Sequence, residues 1–316
     1  MSHTIVGMVE NPMSAAEGRR SGRGIEAIYA FTDFSPRAGA AVRRAAALAR
    51  QHDASLDLVH VVAPPLLTSR RAWAASPEAL GRVADAEAAL AALVDSLHDP
   101  RAKARVLVGA VDEAILGIAD RASLLVMGAR GASRIRSLML GSTATRLLTR
   151  CERPMLVVRQ DKAAAYRRIL IPLDLRDDAT TSLQATRALA PGAEMRVLHA
   201  YRVEHEGMLR RAGVGHKEMQ KARLEAKAKA KSRLFAVLAR AEQGSQRFLH
   251  RLRRDHPVRL TLDAERHFHA DLIVMSKRSR SRIEDAVIGS ATKEVLLAAR
   301  CDVLVVPLLG RGGASR

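Results

Sequence analysis

Aromatic residues make up only 3% of this 316-residue chain, and cysteine occurs twice. No uncharged apolar run reaches the roughly 18 to 20 residues that a membrane-spanning helix needs. The opening MSHTIVGMVENPMSAAEGRRSGRG lacks the charged-then-apolar order of a signal peptide, so the expected location is the cytoplasm, away from membranes. Cys151 and Cys301 stand far apart, with no CxxC and no nearby histidine pair. That excludes a disulfide framework and a zinc site, and leaves two reduced, buried thiols as the expectation. Also missing are a G-x-S-x-G elbow, a lysine after a phosphate-binding glycine run, and a carboxylate pair that could divide acid from base. The chain reads as a protein other than an enzyme.

What remains is ample for folding. Hydrophobic residues make up 48%, mostly Ala, Val and Leu, enough for cores of small aliphatic side chains. The length suits two domains of about 100 to 150 residues each. The net charge is +19, and residues 161–316 hold 31 Lys and Arg against 18 Asp and Glu. Such a field attracts polyanions, or simply coats solvated faces.

The chain repeats itself. LLVMGARGASRIRSLMLGSTATRLLTRCERPMLVV at 124–158 aligns without a gap on LIVMSKRSRSRIEDAVIGSATKEVLLAARCDVLVV at 272–306. Upstream, AIYAFTDFS at 27–35 matches RILIPLDLR at 168–176, and LDLVHVV at 56–62 matches MRVLHAY at 195–201. In each copy, short aliphatic runs alternate with Ala-rich stretches of helical charge spacing, the pattern of βαβ units. Strands are predicted near 26–32, 55–62, 103–108, 123–127 and 154–158, and again near 168–173, 194–200, 247–252, 271–275 and 302–306. Helices are predicted near 37–51, 77–98, 111–121 and 142–150, with one long charged helix over 205–241. The expected fold is α/β: two doubly wound, flavodoxin-like or Rossmann-like domains over 24–160 and 165–309, each on a five-stranded parallel sheet. QDKAAAY at 160–166 reads as the linker, and 1–23 and 310–316 read as tails. The fifth strands, short and apolar, are candidates for pairing across a pseudo-twofold axis in a pseudo-dimer.

Ligands of doubly wound sheets sit beyond the carboxyl ends of the strands. After the fourth strand comes Met127-Gly128-Ala129-Arg130-Gly131, then nine residues, then Gly141-Ser142-Thr143 opening a helix. Glycines there let the backbone approach a phosphate, and helix-start amides with the Ser and Thr hydroxyls face the anion.

The G-x2-G-x9-G-S string, flanked by strand and helix, resembles the nucleotide loop of the ATP-binding branch of the universal stress protein family. TDFS after strand one and VHV in strand two extend the resemblance over nearly the whole chain. It implies ATP or another adenine nucleotide as ligand, with Mg as companion ion, slow ATP hydrolysis at most, and a stress-response role exercised through a protein partner or a homodimer. In that family the Asp after strand one and the residue after the strand-two His line the nucleoside pocket; here these are Asp33 and Val61, with Thr32 and Met127 adjoining. Gly128, Arg130, Gly131, Gly141, Ser142 and Thr143 would hold phosphates. Asp33 can equally serve as a turn residue and Val61 as core packing, and His60 reads as structural.

The second copy has Ser276 for Gly128, Ser279 for Gly131 and Ala200 for Val61, keeping Asp174, Gly289 and Ser290. If the glycines hold positive φ, serine there is strained, at a cost of about 1 kcal/mol or more, and its Cβ blocks close approach of a phosphate. Nucleotide binding is therefore expected in the first copy alone, although the cation-rich loop 276–282 offers side chains for an anion. His205–Arg240 reads as a solvated helix, HRLRRDHPVR at 250–259 as a rim loop, and nonspecific nucleic-acid binding as the less favoured use of the charge. The alternative function is a ligand-free scaffold whose basic second half binds an acidic protein or nucleic acid.

Overall fold

A computed structural model describes residues 24–65, 73, 76–129, 142–175, 179–203, 206–241, 248–278 and 288–308. Both predicted tails, 1–23 and 310–316, lie outside the described residues.

The first copy runs β1 (Ala27–Phe31), α1 (Pro36–His52), β2 (Ser55–Val62), α2 (Pro77–Leu97), β3 (Ala102–Val108), α3 (Val111–Ala119), β4 (Leu124–Gly128), α4 (Ser142–Arg150) and β5 (Met155–Val158). The second runs β6 (Arg168–Pro172), α5 (Thr180–Leu189), β7 (Glu194–Tyr201), α6 (Glu206–Arg211), α7 (His216–Ala241), β8 (Leu249–Arg254), α8 (Pro257–Phe268), β9 (Leu272–Arg278), α9 (Ser290–Ala298) and β10 (Asp302–Leu308).

Local signals explain the boundaries. Ser35 and Ser76 precede Pro36 and Pro77, and each serine hydroxyl accepts the amide three residues on, Ala38 and Ala79, at 3.2 Å. A capping side chain followed by proline at the first helical position is a favoured start. The helix predicted over 205–241 is two helices, because Gly213 adopts φ 73° between α6 and α7. Only glycine enters that left-handed region cheaply, and a helix cannot pass through it. The segment read as a rim loop at 250–259 is β8 as far as Arg254, extending the strand predicted near 247–252, and α8 from Pro257.

The ten strands form one sheet in the order β3-β2-β1-β4-β5-β10-β9-β6-β7-β8. Within each copy neighbours are parallel; the copies meet where β5 and β10 pair antiparallel, Val157 opposite Val303 and Leu156 opposite Leu304. The fifth strands thus join across the pseudo-twofold as expected, merging two five-stranded sheets into one. Period-two alternation sends Ile28, Leu56, Val126 and Leu304 to one buried face, and Tyr29, Val59, Met127 and Val303 to the other. Both faces carry helices, as parallel strands require.

Two polar clusters fasten the copies together. Asp302, fully buried, accepts the Arg159 and Gln160 amides at 2.7 and 3.0 Å and the Tyr166 hydroxyl at 2.7 Å, with Arg44 Nε at 3.2 Å. Arg44 also donates to the carbonyls of Lys162 and Ala164, pinning the linker against α1. The second joins the C-terminal end of β9 to the end of α4, through Lys277.

Candidate functional site

The order β2-β1-β4 puts a topological switch point between β1 and β4, where the chain leaves the two strands toward opposite faces. Register fixes what stands at its rim. Ala30 pairs with Leu58 on one side and Val126 on the other, so the next steps bring Thr32 and Asp33 level with His60 and Val61, and beside Gly128 and Ala129.

Thr32 is buried; its amide donates to Val59 O at 3.0 Å and its hydroxyl accepts the Phe34 amide at 3.0 Å. Asp33 is exposed, and its Oδ1 accepts the Ser35 amide at 3.1 Å, closing a turn that leads into the Ser35 cap. Its turn role and a ligand role are compatible, since a carboxylate has further acceptor sites. Phe34 takes φ 59° and lies 4.5 Å, ring to ring, from His60. The His60 Nδ1–H donates to Thr32 O at 2.8 Å, and the equivalent His199 Nδ1–H donates to Leu173 O at 2.8 Å. Burial lowers the His199 pKa. These histidines tie each second strand to the turn after the first; both are structural.

Val61 is half-buried against the core beneath α3 and α4, with Leu107 opposite. The Met127 side chain is buried in that core, so its backbone alone can face a ligand. Gly128 ends β4 opposite Val158, in extended backbone. Positive φ is therefore not what position 128 demands; what glycine contributes there is the missing Cβ. Thr143 is half-buried in the first turn of α4. Arg130, Gly131 and Gly141 lie outside the described residues, as does the Ser142 side chain.

In the second copy a side chain stands where Gly128 has none. Ser276 Oγ lies 2.8 Å from Ser182 Oγ, and the Thr292 hydroxyl donates to Ser276 O at 3.2 Å. The offset that carries β1 onto β6 carries Ala41 onto Ser182, so the pair Gly128 and Ala41 becomes Ser276 and Ser182. Ala200 is half-buried in the Val61 position, Asp174 is exposed, and Gly289 caps α9 with φ −54°. Ser279 lies outside the described residues.

Sequence reasoning missed the use of Lys277. It was grouped with an exposed cationic loop, yet it is buried, and its Nζ donates to the carbonyls of Leu148, Thr149 and Cys151 at 2.7, 2.9 and 2.7 Å. A cation there satisfies carbonyls that the end of α4 leaves open. Burial lowers the Lys277 pKa, and burial raises that of the Cys151 thiol. The only advance signal was that Lys277 follows a run of strand residues and so had to point somewhere.

The sequence model of the universal stress protein family matches residues 25–159 and 165–307. A universal stress protein of Mycolicibacterium smegmatis is 27% identical over 190 residues, which span 55% of this chain and 63% of that relative's length. One from Thermus aquaticus, encoded beside a sulfhydrylase gene, is 35% identical over 143 residues, 42% of this chain and 94% of the relative. Among solved structures, a universal stress protein from Archaeoglobus fulgidus superposes with a TM-score of 0.67 at 18% identity, covering 90% of this chain and 98% of its own. A protein of unknown function from Pseudomonas aeruginosa gives 0.59 at 16%, covering 90% and 93%. These likenesses bear out the duplicated fold, and the family match over both halves means that the chain belongs to the universal stress protein family, as a tandem of two such domains.

Proposed function

We propose that the first copy binds ATP or a related adenine nucleotide and that the second has given up its site. The chain then acts as a regulatory protein through its surface, with no catalytic step. The observation that carries this reading is the contrast between the two rims. Gly128, without a Cβ, ends β4 beside the exposed Asp33 carboxylate, whereas Ser276 fills the matching place and is bonded to Ser182. A nucleotide fits the first rim chemically. Asp33 can accept hydrogen bonds from a nucleoside, Val61 offers an apolar contact, and the opening turn of α4 offers amides and the Thr143 hydroxyl to phosphates. Among the described residues no cluster of three His, Cys, Asp or Glu side chains stands ready for a metal, so Mg would arrive on the phosphates.

The test is a titration of the purified chain with ATP, ADP, GTP and buffer alone, repeated for Asp33→Ala and Gly128→Val. Saturable adenylate binding, weakened by either substitution, supports the reading. GTP and ATP binding equally, or binding indifferent to both substitutions, contradicts it. Steady phosphate release abolished by Asp33→Ala would replace it with a hydrolase.

A further inference from the structure

The copies place equivalent helices at opposite ends of the sheet and charge them oppositely. Packed on β2 and β3, α2 carries Glu78, Asp85, Glu87 and Asp95, all exposed, against Arg82. Packed on β7 and β8, α7 carries eight Lys and Arg against two Glu.

The outer strands diverge in the same sense. In copy one, Arg105 of β3 reaches Asp57 of β2 at 3.1 Å, so the edge arginine is neutralised from within. In copy two, Arg251 of β8 stands opposite Leu198 as Arg105 stands opposite Val59, and the place of Asp57 is taken by Arg196. The partner acid has become a second cation. Arg196 is itself engaged, 3.3 Å from Glu194 and 4.0 Å over the Phe268 ring, and Arg254 is spent on Glu206 at 2.6 Å. Arg251 and Arg253 are exposed, and neither makes an ion pair among the described residues. They share one face of β8 with Leu249, which is 50% exposed. Beyond β8 no described strand pairs, so one row of its backbone amides and carbonyls is open.

We propose that β8 is a docking edge for an extended acidic segment of a partner protein, added to the sheet as a further strand. Its backbone would complete the open ladder, its carboxylates would meet the Arg251 and Arg253 forks, and an apolar residue would cover Leu249. The α7 lysines supply a field that draws such a segment in. Charge selects the occupant: two β8 edges facing each other set arginine against arginine, and the β3 edge lies beside an acidic helix that repels acids. A phosphate track is the poorer fit, since an arginine at every second residue along a strand matches another strand, and stacking bases would find few exposed rings.

The experiment uses the full chain and fluorescence anisotropy with three labelled probes. These are a short peptide of alternating Glu and Val, the same peptide N-methylated at alternate residues, and a DNA duplex. Arg251→Glu with Arg253→Glu is compared with Lys103→Glu on the β3 edge, circular dichroism confirming that each variant is folded. The expected result is salt-sensitive binding of the Glu-Val peptide, weakened about tenfold or more by the β8 substitutions, unchanged by Lys103→Glu and lost on methylation. Equal binding of the methylated peptide, indifference to the β8 substitutions, capture of DNA but not peptide, or no binding of any probe would each overturn it.

Discussion

Leu148 O and Leu296 O occupy the same place in the two copies, and each is bound by a cation from the other copy: Lys277 Nζ at 2.7 Å from the first, the Arg159 guanidinium on the second. The last turn of each copy's final helix is thus secured by its neighbour. If α4 opens at a phosphate cradle, as proposed, the second copy holds in place the helix on which the first copy's site depends. Lys277→Met leaves the carbonyls of Leu148, Thr149 and Cys151 without their donor and is expected to cost about 1–3 kcal/mol. Hydrogen exchange should quicken in α4, and ATP affinity should fall; unaltered exchange there would show that the lysine anchors nothing.

Asp302 makes a second test of the join. Removing one partner of a buried ion pair strands the other, so Asp302→Ala should cost about 3–5 kcal/mol, with Arg44 left buried and uncompensated. Denaturant unfolding measures it. A loss below about 1 kcal/mol, the range of an exposed pair, would mean that Arg44 finds water or another acceptor.

The Ser182 and Ser276 hydroxyls should behave as a unit. Ser276→Gly alone leaves the fully buried Ser182 without that partner, whereas adding Ser182→Ala recreates the Gly and Ala pair of the first copy. A double-mutant cycle is expected to give a coupling of about 1 kcal/mol. Strict additivity would indicate that the two hydroxyls are satisfied independently.

The fold was largely legible because its determinants are local and repeated. The 124–158 and 272–306 segments align without a gap, and apolar runs of strand length cannot easily be anything else between charged Ala-rich stretches. Even the β5 to β10 join followed from two short apolar strands needing cover. What was not legible depended on tertiary placement. The strand predicted at 247–252 is met by β8, but its six residues, none of them buried, gave no sign that it runs on to Arg254, and a lysine in a cationic run gave no hint of three carbonyls waiting in the other copy. Of the candidate site, Thr32, Asp33, Val61 and Gly128 gather at one rim, while Met127 turns its side chain into the core. The expectation of strain at position 128 failed because the residue is still in its strand.

Acid should remove a contribution to stability at the turn between α2 and β3. Arg101 grips Asp99 through Nε and Nη2 at 3.0 and 3.1 Å and holds its carboxyl below the usual range. A carboxyl with a lowered folded-state pKa stabilises fully above its unfolded value, and that contribution is lost as pH falls through the folded value. Asp99→Asn should therefore lower the melting temperature at neutral pH and flatten its decline below about pH 4. Parallel curves for the variant and the parent would contradict it.

The central claim is one working nucleotide site in a chain of two copies. Mass spectrometry of nucleotide released by heat from the purified protein, with Gly128→Val plus Gly131→Val as control, tests it most directly. The account predicts close to one adenylate per chain in the parent and none in the control. Two per chain would mean that the second copy's rim still binds, and none, with no uptake on titration with ATP, would contradict the nucleotide reading altogether.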